Sequence, residues 1–259
     1  MHIRVTVLGS GSAGNATLIE GDGARVLLDA GFSCRELAAR LRGLDVAPDR
    51  LDALVITHEH ADHVRGAERF CRTFGVPVYA TRATARAAGL ADALDGALHE
   101  VTPGTPFAIG GLTLMPFPLP HDAVDTVGYT IECGDARVGY ATDLGHATDA
   151  ARRGLRDCDL LILEANHDVG MLQAGPYPAM VKQRVLGRHG HLDNDSSAAL
   201  ACEAVTDRTR HLILAHLSRT NNRPDLALQA TRQCFERDGR RAPRLYAASQ
   251  ARASPRFEI

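Results

Sequence analysis

A four-layer α/β sandwich, two mixed β-sheets packed face to face with helices outside, is the fold this sequence predicts. Three observations predict it. Apolar strand-like runs come grouped at the start of each half and then alternate with helical stretches. Glycine-containing turns such as Gly21-Asp22-Gly23 and Gly134-Asp135 join strand to strand. The 259 residues, 45% hydrophobic and 23% charged, suit one large domain with an ample core. No linker, repeat or low-complexity stretch divides them, so residues 1–259 read as a single domain.

The elements follow in order. Strands are predicted at 2–8 (HIRVTVL), 16–20 (ATLIE) and 25–29 (RVLLD). Ser33 and Glu36 form a capping-box pattern that opens a helix through Arg42. An apolar strand at 51–57 (LDALVIT) leads into a helix at 62–74, a strand at 76–80 and an alanine- and arginine-rich helix. The second half begins with a strand at 112–117 and a hairpin of 126–133 with 137–141. Residues 159–164 (DLLILE) form a buried strand, and 170–194 read as a loop containing glycine and proline. Asp195 or Ser196 then caps a helix, 211–215 is a strand, 224–235 a helix and 245–248 the last strand.

Composition narrows the function classes. The net charge of −2 gives no global basic field, although a local basic groove would suffice for a nucleic-acid substrate. Lys182 is the only lysine among the basic residues, and arginine suits phosphate well. No apolar run approaches the roughly 20 residues of a membrane span, so no membrane partner is expected. The first residues read as a strand rather than an export signal. The six cysteines are scattered without a C-x-x-C pair, which suits reduced thiols and a cytoplasmic location.

Twelve histidines are the unusual feature, and they cluster. Thr57-His58-Glu59-His60-Ala61-Asp62-His63 places His58, His60, Asp62 and His63 where an apolar strand gives way to a helix. His58 and His60 alternate by two and share one side of extended backbone. Asp62 and His63 lie on the first helical turn. An extended pair and a helical pair serve two neighbouring ions more readily than one. Imidazole with carboxylate suits Zn, Mn or Fe. His2, His99 and His211 stand alone and read as surface or core histidines.

H-x-H-x-D-H resembles the motif of the metallo-β-lactamase superfamily, whose αββα sandwich carries its metals at one edge. The resemblance implies further ligands just after strands. His121, Asp143 and His216 stand at such places, with His146 the nearest alternative and His167 and His189 undecided. It implies one ion on His58, His60, His121 and Asp143, and a second on Asp62, His63, His216 and the shared Asp143. Flavin–iron oxidases of this superfamily usually carry a glutamate where His60 stands, which disfavours redox chemistry. Glyoxalase-type thioesterases share the motif but not the stretches below.

Those stretches are Leu8–Asn15 (LGSGSAGN), the run from Leu163 to Asp168 (LEANHD), Gly190–Asn194 (GHLDN) and Leu214–Asn222 (LAHLSRTNN). Together, nearly end to end, they resemble the YycJ/WalJ family of bacterial metallohydrolases, related to ribonuclease Z and ribonuclease J. The resemblance implies a metal-dependent exonuclease acting on DNA from 5′ ends, with a hydroxide bridging two Zn or Mn ions. Asp193 departs from the serine frequent at its position. Only 26 positions separate Glu164 from His191, leaving no room for the β-CASP insertion of ribonuclease J-type enzymes.

Within that expectation, Asp62 or Asp143 orients the nucleophile, and His191, held by Glu164, protonates the leaving oxygen. Ser218, Asn221 and Asn222, with Arg219 and Arg223, stand ready for phosphate or sugar. Alternatives are a small-molecule or cyclic-nucleotide phosphodiesterase, an RNA-processing nuclease, or a non-catalytic regulator that keeps the fold; the full ligand set disfavours the last. The Gly9-Ser10-Gly11-Ser12-Ala13-Gly14 stretch is formally a dinucleotide fingerprint. A strand rather than a helix follows it, so no dinucleotide is expected. The loop falls near the metal edge, with Ser12 and Asn15, and Ser10 beside them, placed to line the substrate groove.

Overall fold

The computed structural model describes residues 2–94 and 96–259. The first sheet takes β1 (Ile3–Gly9), β2 (Ala16–Gly21), β3 (Ala24–Leu28), β4 (Ala53–Val55), β5 (Val78–Ala80) and β6 (Leu98–Glu100). The second takes β7 (Phe107–Ile109), β8 (Leu112–Pro118), β9 (Val127–Cys133), β10 (Ala136–Ala141), β11 (Leu160–Glu164), β12 (His211–Ala215) and β13 (Arg244–Ala247). β14 (Phe257–Glu258) returns to the first sheet beside β1. Each sheet is an antiparallel meander extended by three parallel pairings: β3–β4–β5–β6 in the first, β10–β11–β12–β13 in the second. β6, β7 and β14 are two or three residues long, too short for a period to register in the sequence.

Side-chain alternation divides the core. Val5, Ile19, Val26, Val55, Tyr129, Ile131, Ile162 and Ile213 interlock between the sheets. Leu18, Leu27 and Leu54, their neighbours in sequence, point outward and are covered by α1 (Cys34–Arg42) and α3 (Ala67–Phe74) through Leu37, Leu41 and Phe70. On the other face, Leu161, Leu163, Leu212 and Leu214 pack under α9 (Asn194–Ala204) and α10 (Pro224–Arg237). Sheets covered on both faces explain the nearly continuous apolar strands. Each such side chain contributes about 1.5–3 kcal/mol by leaving water.

Several elements differ from expectation. The helix expected over 62–74 is two, α2 (Ala61–Val64) and α3, broken at Gly66. Gly66 donates its amide to Ala30 O, and a Cβ there would sit 2.3 Å from Phe32 O. The strand expected to reach Thr57 stops at Val55, because the Thr57 amide donates to the Asp29 carboxylate instead of a neighbouring strand. Residues 170–194 are not a plain loop: α7 (Val169–Ala174) and α8 (Ala179–Val185) lie there. Asp193, not Asp195 or Ser196, caps α9, accepting both of their amides. Ser33 caps α1 as expected, but Glu36 bonds Arg40 instead of reaching back to complete the box.

The first glycine-rich loop joins β1 to β2, strand to strand. Gly11 and Gly14 have φ of +144° and +156°, and a Cβ on either would press on Gln250 or Phe32. The amides of Ser10, Gly11, Ala13, Gly14 and Asn15 donate to Ser249 O, Asn15 Oδ1, Gln250 Oε1, Gly11 O and Asp62 O. These amides hold the loop together and are not free for a phosphate.

Candidate metal centre

The loops after β1, β3, β4, β10, β11 and β12 meet at one edge of the sandwich, outside the carboxyl ends of the parallel strands. Asp29, Asp143 and His216, one or two residues past β3, β10 and β12, have φ of +61°, +62° and +55°. Left-handed backbone at three non-glycine residues costs on the order of 1–3 kcal/mol each and turns their side chains inward. His58 follows β4 in extended chain, His60 precedes α2, and Asp62 and His63 ride on that helix. His121 stands in the loop between β8 and β9.

Seven expected ligands converge. Ligand atoms of His58, His60 and His121 lie within 4.8 Å of one another, as do those of His58, His63 and Asp143, and those of Asp62, His63 and His216. His121 Nε2 stands 3.3 Å from His60 Nδ1, His63 Nε2 3.2 Å from Asp143 Oδ2, and His216 Nε2 3.2 Å from Asp62 Oδ2. Asp143 also approaches His216 (3.5 Å) and His121 (3.8 Å), which places it between the two halves of the cluster.

The outer ring nitrogens explain this orientation. His58 Nδ1 meets Thr57 Oγ1 (3.0 Å), His63 Nδ1 meets Asp29 Oδ2 (2.8 Å), His121 Nδ1 meets Gly190 O (3.0 Å) and His216 Nδ1 meets Glu164 Oε1 (3.1 Å). With Nδ1 engaged, each ring turns Nε2 toward the common centre. His58 Nε2 is buried without a hydrogen-bond partner, and Asp143 Oδ2 is buried with only the His63 ring nitrogen beside it. Buried atoms are rarely left so, and nitrogen lone pairs beside carboxylate oxygens form a donor set that fits divalent ions such as Zn or Mn.

Without metal, the charges hold one another. Burial lowers the His63 and His216 values, but Asp143 and the other carboxylates outweigh it: His63 rises well above the usual imidazole range and His216 to about 10. Burial would raise Asp143, yet His216 and His63 hold it well below the carboxylate range. His58 and His121 move the other way, pushed down chiefly by burial.

Glu164, fully buried at the end of β11, accepts from His191 Nδ1 (2.8 Å), His216 Nδ1 (3.1 Å) and the amides of Leu144 and Leu192. Burial pushes its carboxyl up, but His191 and His216 bring it down to about 2. Burial lowers His191, and Glu164 more than restores it, leaving that imidazole raised.

Around the metal cluster is an opening of about 260 Å³ lined by Ser12, Tyr177, Arg184, Ser218 and Asn221. Two residues expected at substrate do not line the metal opening itself. Asn15 is buried and bonds Ser10, Gly11 and His63, so it braces the ligand shell. Asn222 is buried and exchanges amide bonds with Asn194. Arg223 is neutralised by Asp225 at 2.8 Å, whereas Arg219 is exposed. His146 bonds Arg188 O, His189 is exposed and His167 is buried; none joins the converging groups.

Asp29, Thr57 and Asn166, which brace His63, His58 and His216, escaped the sequence reading. For Asp29 there was a signal, an acid ending the apolar run RVLLD. Asn166 lay within the LEANHD stretch but without a role of its own, and for Thr57 only the fold supplies a signal.

Comparison with known proteins agrees with this architecture. Residues 24–217 match the family model described as Beta-lactamase superfamily domain. The metallo-β-lactamase fold protein YhfI of Bacillus subtilis superposes with a TM-score of 0.76 over 100% of both chains at 20% identity. The chain therefore belongs to the metallo-β-lactamase superfamily and is a hydrolase of that fold. Exodeoxyribonuclease YycJ of Bacillus anthracis is 30% identical over 247 residues, 92% of this chain and 91% of its own. Exodeoxyribonuclease WalJ of Streptococcus pneumoniae serotype 2 is 33% identical over 230 residues, 86% and 85% of the two chains. Within the superfamily, this chain belongs to the YycJ/WalJ family.

Proposed function

We propose that the protein is a dinuclear metal-dependent nuclease that removes nucleotides from the 5′ end of DNA. The observation that carries this reading is the convergence of five histidines and two aspartates, in a chain similar over most of its length to exodeoxyribonucleases. His58, His60, His121 and Asp143 would hold one ion; Asp62, His63, His216 and the same Asp143 would hold the other. Zn or Mn bound there supplies Lewis acidity toward phosphate oxygens and a water nucleophile at neutral pH.

The chain's own groups do the rest. Asp62 lines the opening and orients the attacking water, with Asp143 fixed behind it. His191 also lines the opening. Glu164 engages its Nδ1 and favours the imidazolium, so Nε2 is the atom that delivers a proton to the leaving oxygen. Ser12, Ser218 and Asn221 offer neutral contacts to phosphate or sugar, and Asn221 Oδ1 is a buried acceptor without a partner.

End-labelled DNA and RNA, each incubated with Zn or Mn, test the reading. The expected result is metal-dependent loss of nucleotides from the 5′ end of DNA, faster than hydrolysis of bis-p-nitrophenyl phosphate. Preference for the small ester would make the protein a small-molecule phosphodiesterase instead, and preference for RNA a ribonuclease.

A further inference from the structure

A second cavity lies beside the metal opening rather than on it. It has a volume of about 880 Å³ and is walled by the glycine-rich loop, α1, the loop after β12 and the segment after β13. Its charged lining is almost wholly cationic. The carboxylate of Glu36 is held by Arg40 at 2.8 Å. Arg65, Arg219 and Arg252 also line it, all three exposed and, among the described residues, without an ion-pair partner. In a chain of net charge −2, three uncompensated arginines around one hollow are a local positive field.

The cavity is continuous with the metal opening. Ser218 lines both. Between them is a shallow saddle of Ser12, Ala13, Tyr177, Arg219 and Thr220. Ser12 and Tyr177 belong also to the metal opening, Ala13 and Arg219 also to the cavity. An unbroken surface thus runs from Asp62 and His216, past a half-buried aromatic ring, to a hollow rimmed with arginine. Cations that follow a backbone beside a ring on which a base can stack are the means by which single strands are held without regard to sequence.

Building on the nuclease reading above, we infer that this surface is a track for single-stranded nucleic acid. Arg219, Arg65 and Arg252 hold successive phosphates of the strand beyond the bond being cleaved, and Tyr177 stacks on a base at the saddle. The track makes the substrate a polymer: a small diester reaches the metals but leaves the arginines without a partner. The strand's charge is taken up locally, so the acidic chain as a whole is no barrier to it.

The test is binding and hydrolysis by the metal-loaded protein and its R65A, R219A and R252A variants, with R156E as a charge control. Arg156 follows the helix Asp149–Leu155 and precedes β11, at the end of that strand away from the metals. Affinity for a hydrolysis-resistant phosphorothioate single strand is measured across a salt series. Each lost phosphate contact should weaken binding about fivefold near 0.1 M salt, and the triple variant should flatten the logarithmic salt slope by about 2. Hydrolysis of single-stranded DNA should fall far more than hydrolysis of bis-p-nitrophenyl phosphate, and R156E should behave as wild type. Unchanged affinity and slope in a triple variant that still folds and binds metal would overturn the track, as would tighter binding of blunt duplex than of single strand. If wild type degrades DNA while these variants match it, only the track fails. If wild type neither binds nor degrades nucleic acid, the nuclease reading fails with it.

Discussion

Glu164→Gln perturbs a group that hydrogen-bonds both the candidate metal ligand His216 and the proposed acid His191. The carboxylate serves four donors, two imidazoles on Oε1 and two backbone amides on Oε2. A glutamine has one acceptor oxygen, so its NH2 must face either two imidazole Nδ1 atoms or two amides. Charge is lost as well. A carboxyl moved from 4.5 to about 2 by His191 and His216, against the upward push of burial, corresponds to about 3 kcal/mol of stability. Because the folded value is depressed, that stability is present in full above 4.5 and fades as pH falls toward 2. Thermal unfolding of the chelator-treated variant at neutral pH should show a midpoint about 6 °C lower. The difference from wild type should shrink below pH 4.5. With its bond to the candidate ligand His216 disturbed, metal affinity should also fall about 10–100-fold. A variant with unchanged midpoint and unchanged metal affinity would refute the network argument.

Asp143→Ala should abolish turnover and lower metal content on elemental analysis; full activity with both ions retained would remove Asp143 from the shared position. His191→Ala should cut the rate about 10²–10⁴-fold while metal content stays, and loss of metal instead would make His191 a ligand. Metal uptake near neutral pH should release protons, since His63 and His216 are held protonated by carboxylates until an ion displaces the proton. Calorimetry in two buffers of different ionisation enthalpy reads that release, and identical heats would contradict it. The displaced protons also mean that metal affinity should weaken as pH falls.

The candidate metal ligands were legible from the clustered H-x-H-x-D-H motif and, for His121, Asp143 and His216, from the family resemblance that pointed to strand ends. An apolar run ends and a histidine or aspartate follows, as in LVITH, YATD and LILAH. The sandwich was legible through apolar runs that come grouped and then alternate with helices, and through the turns between them. What the sequence hid depends on contacts distant in the chain. Gly66 reads as a tolerable helix residue until Phe32 and Ala30 approach it. Asn15 looks like a loop polar group until the fold sets it against His63. α7 and α8 lie in a stretch broken by Gly175 and Pro178, where two short helices leave little periodicity to read. The arginine hollow draws on residues from four separate segments and has no linear motif.

The most direct test of the central claim is a metal titration of the chelated protein, following single-stranded DNA hydrolysis and bound metal together. The account predicts that turnover rises to its full value only as about two equivalents of Zn or Mn are bound. Full activity with one equivalent, or none at any loading, would contradict it.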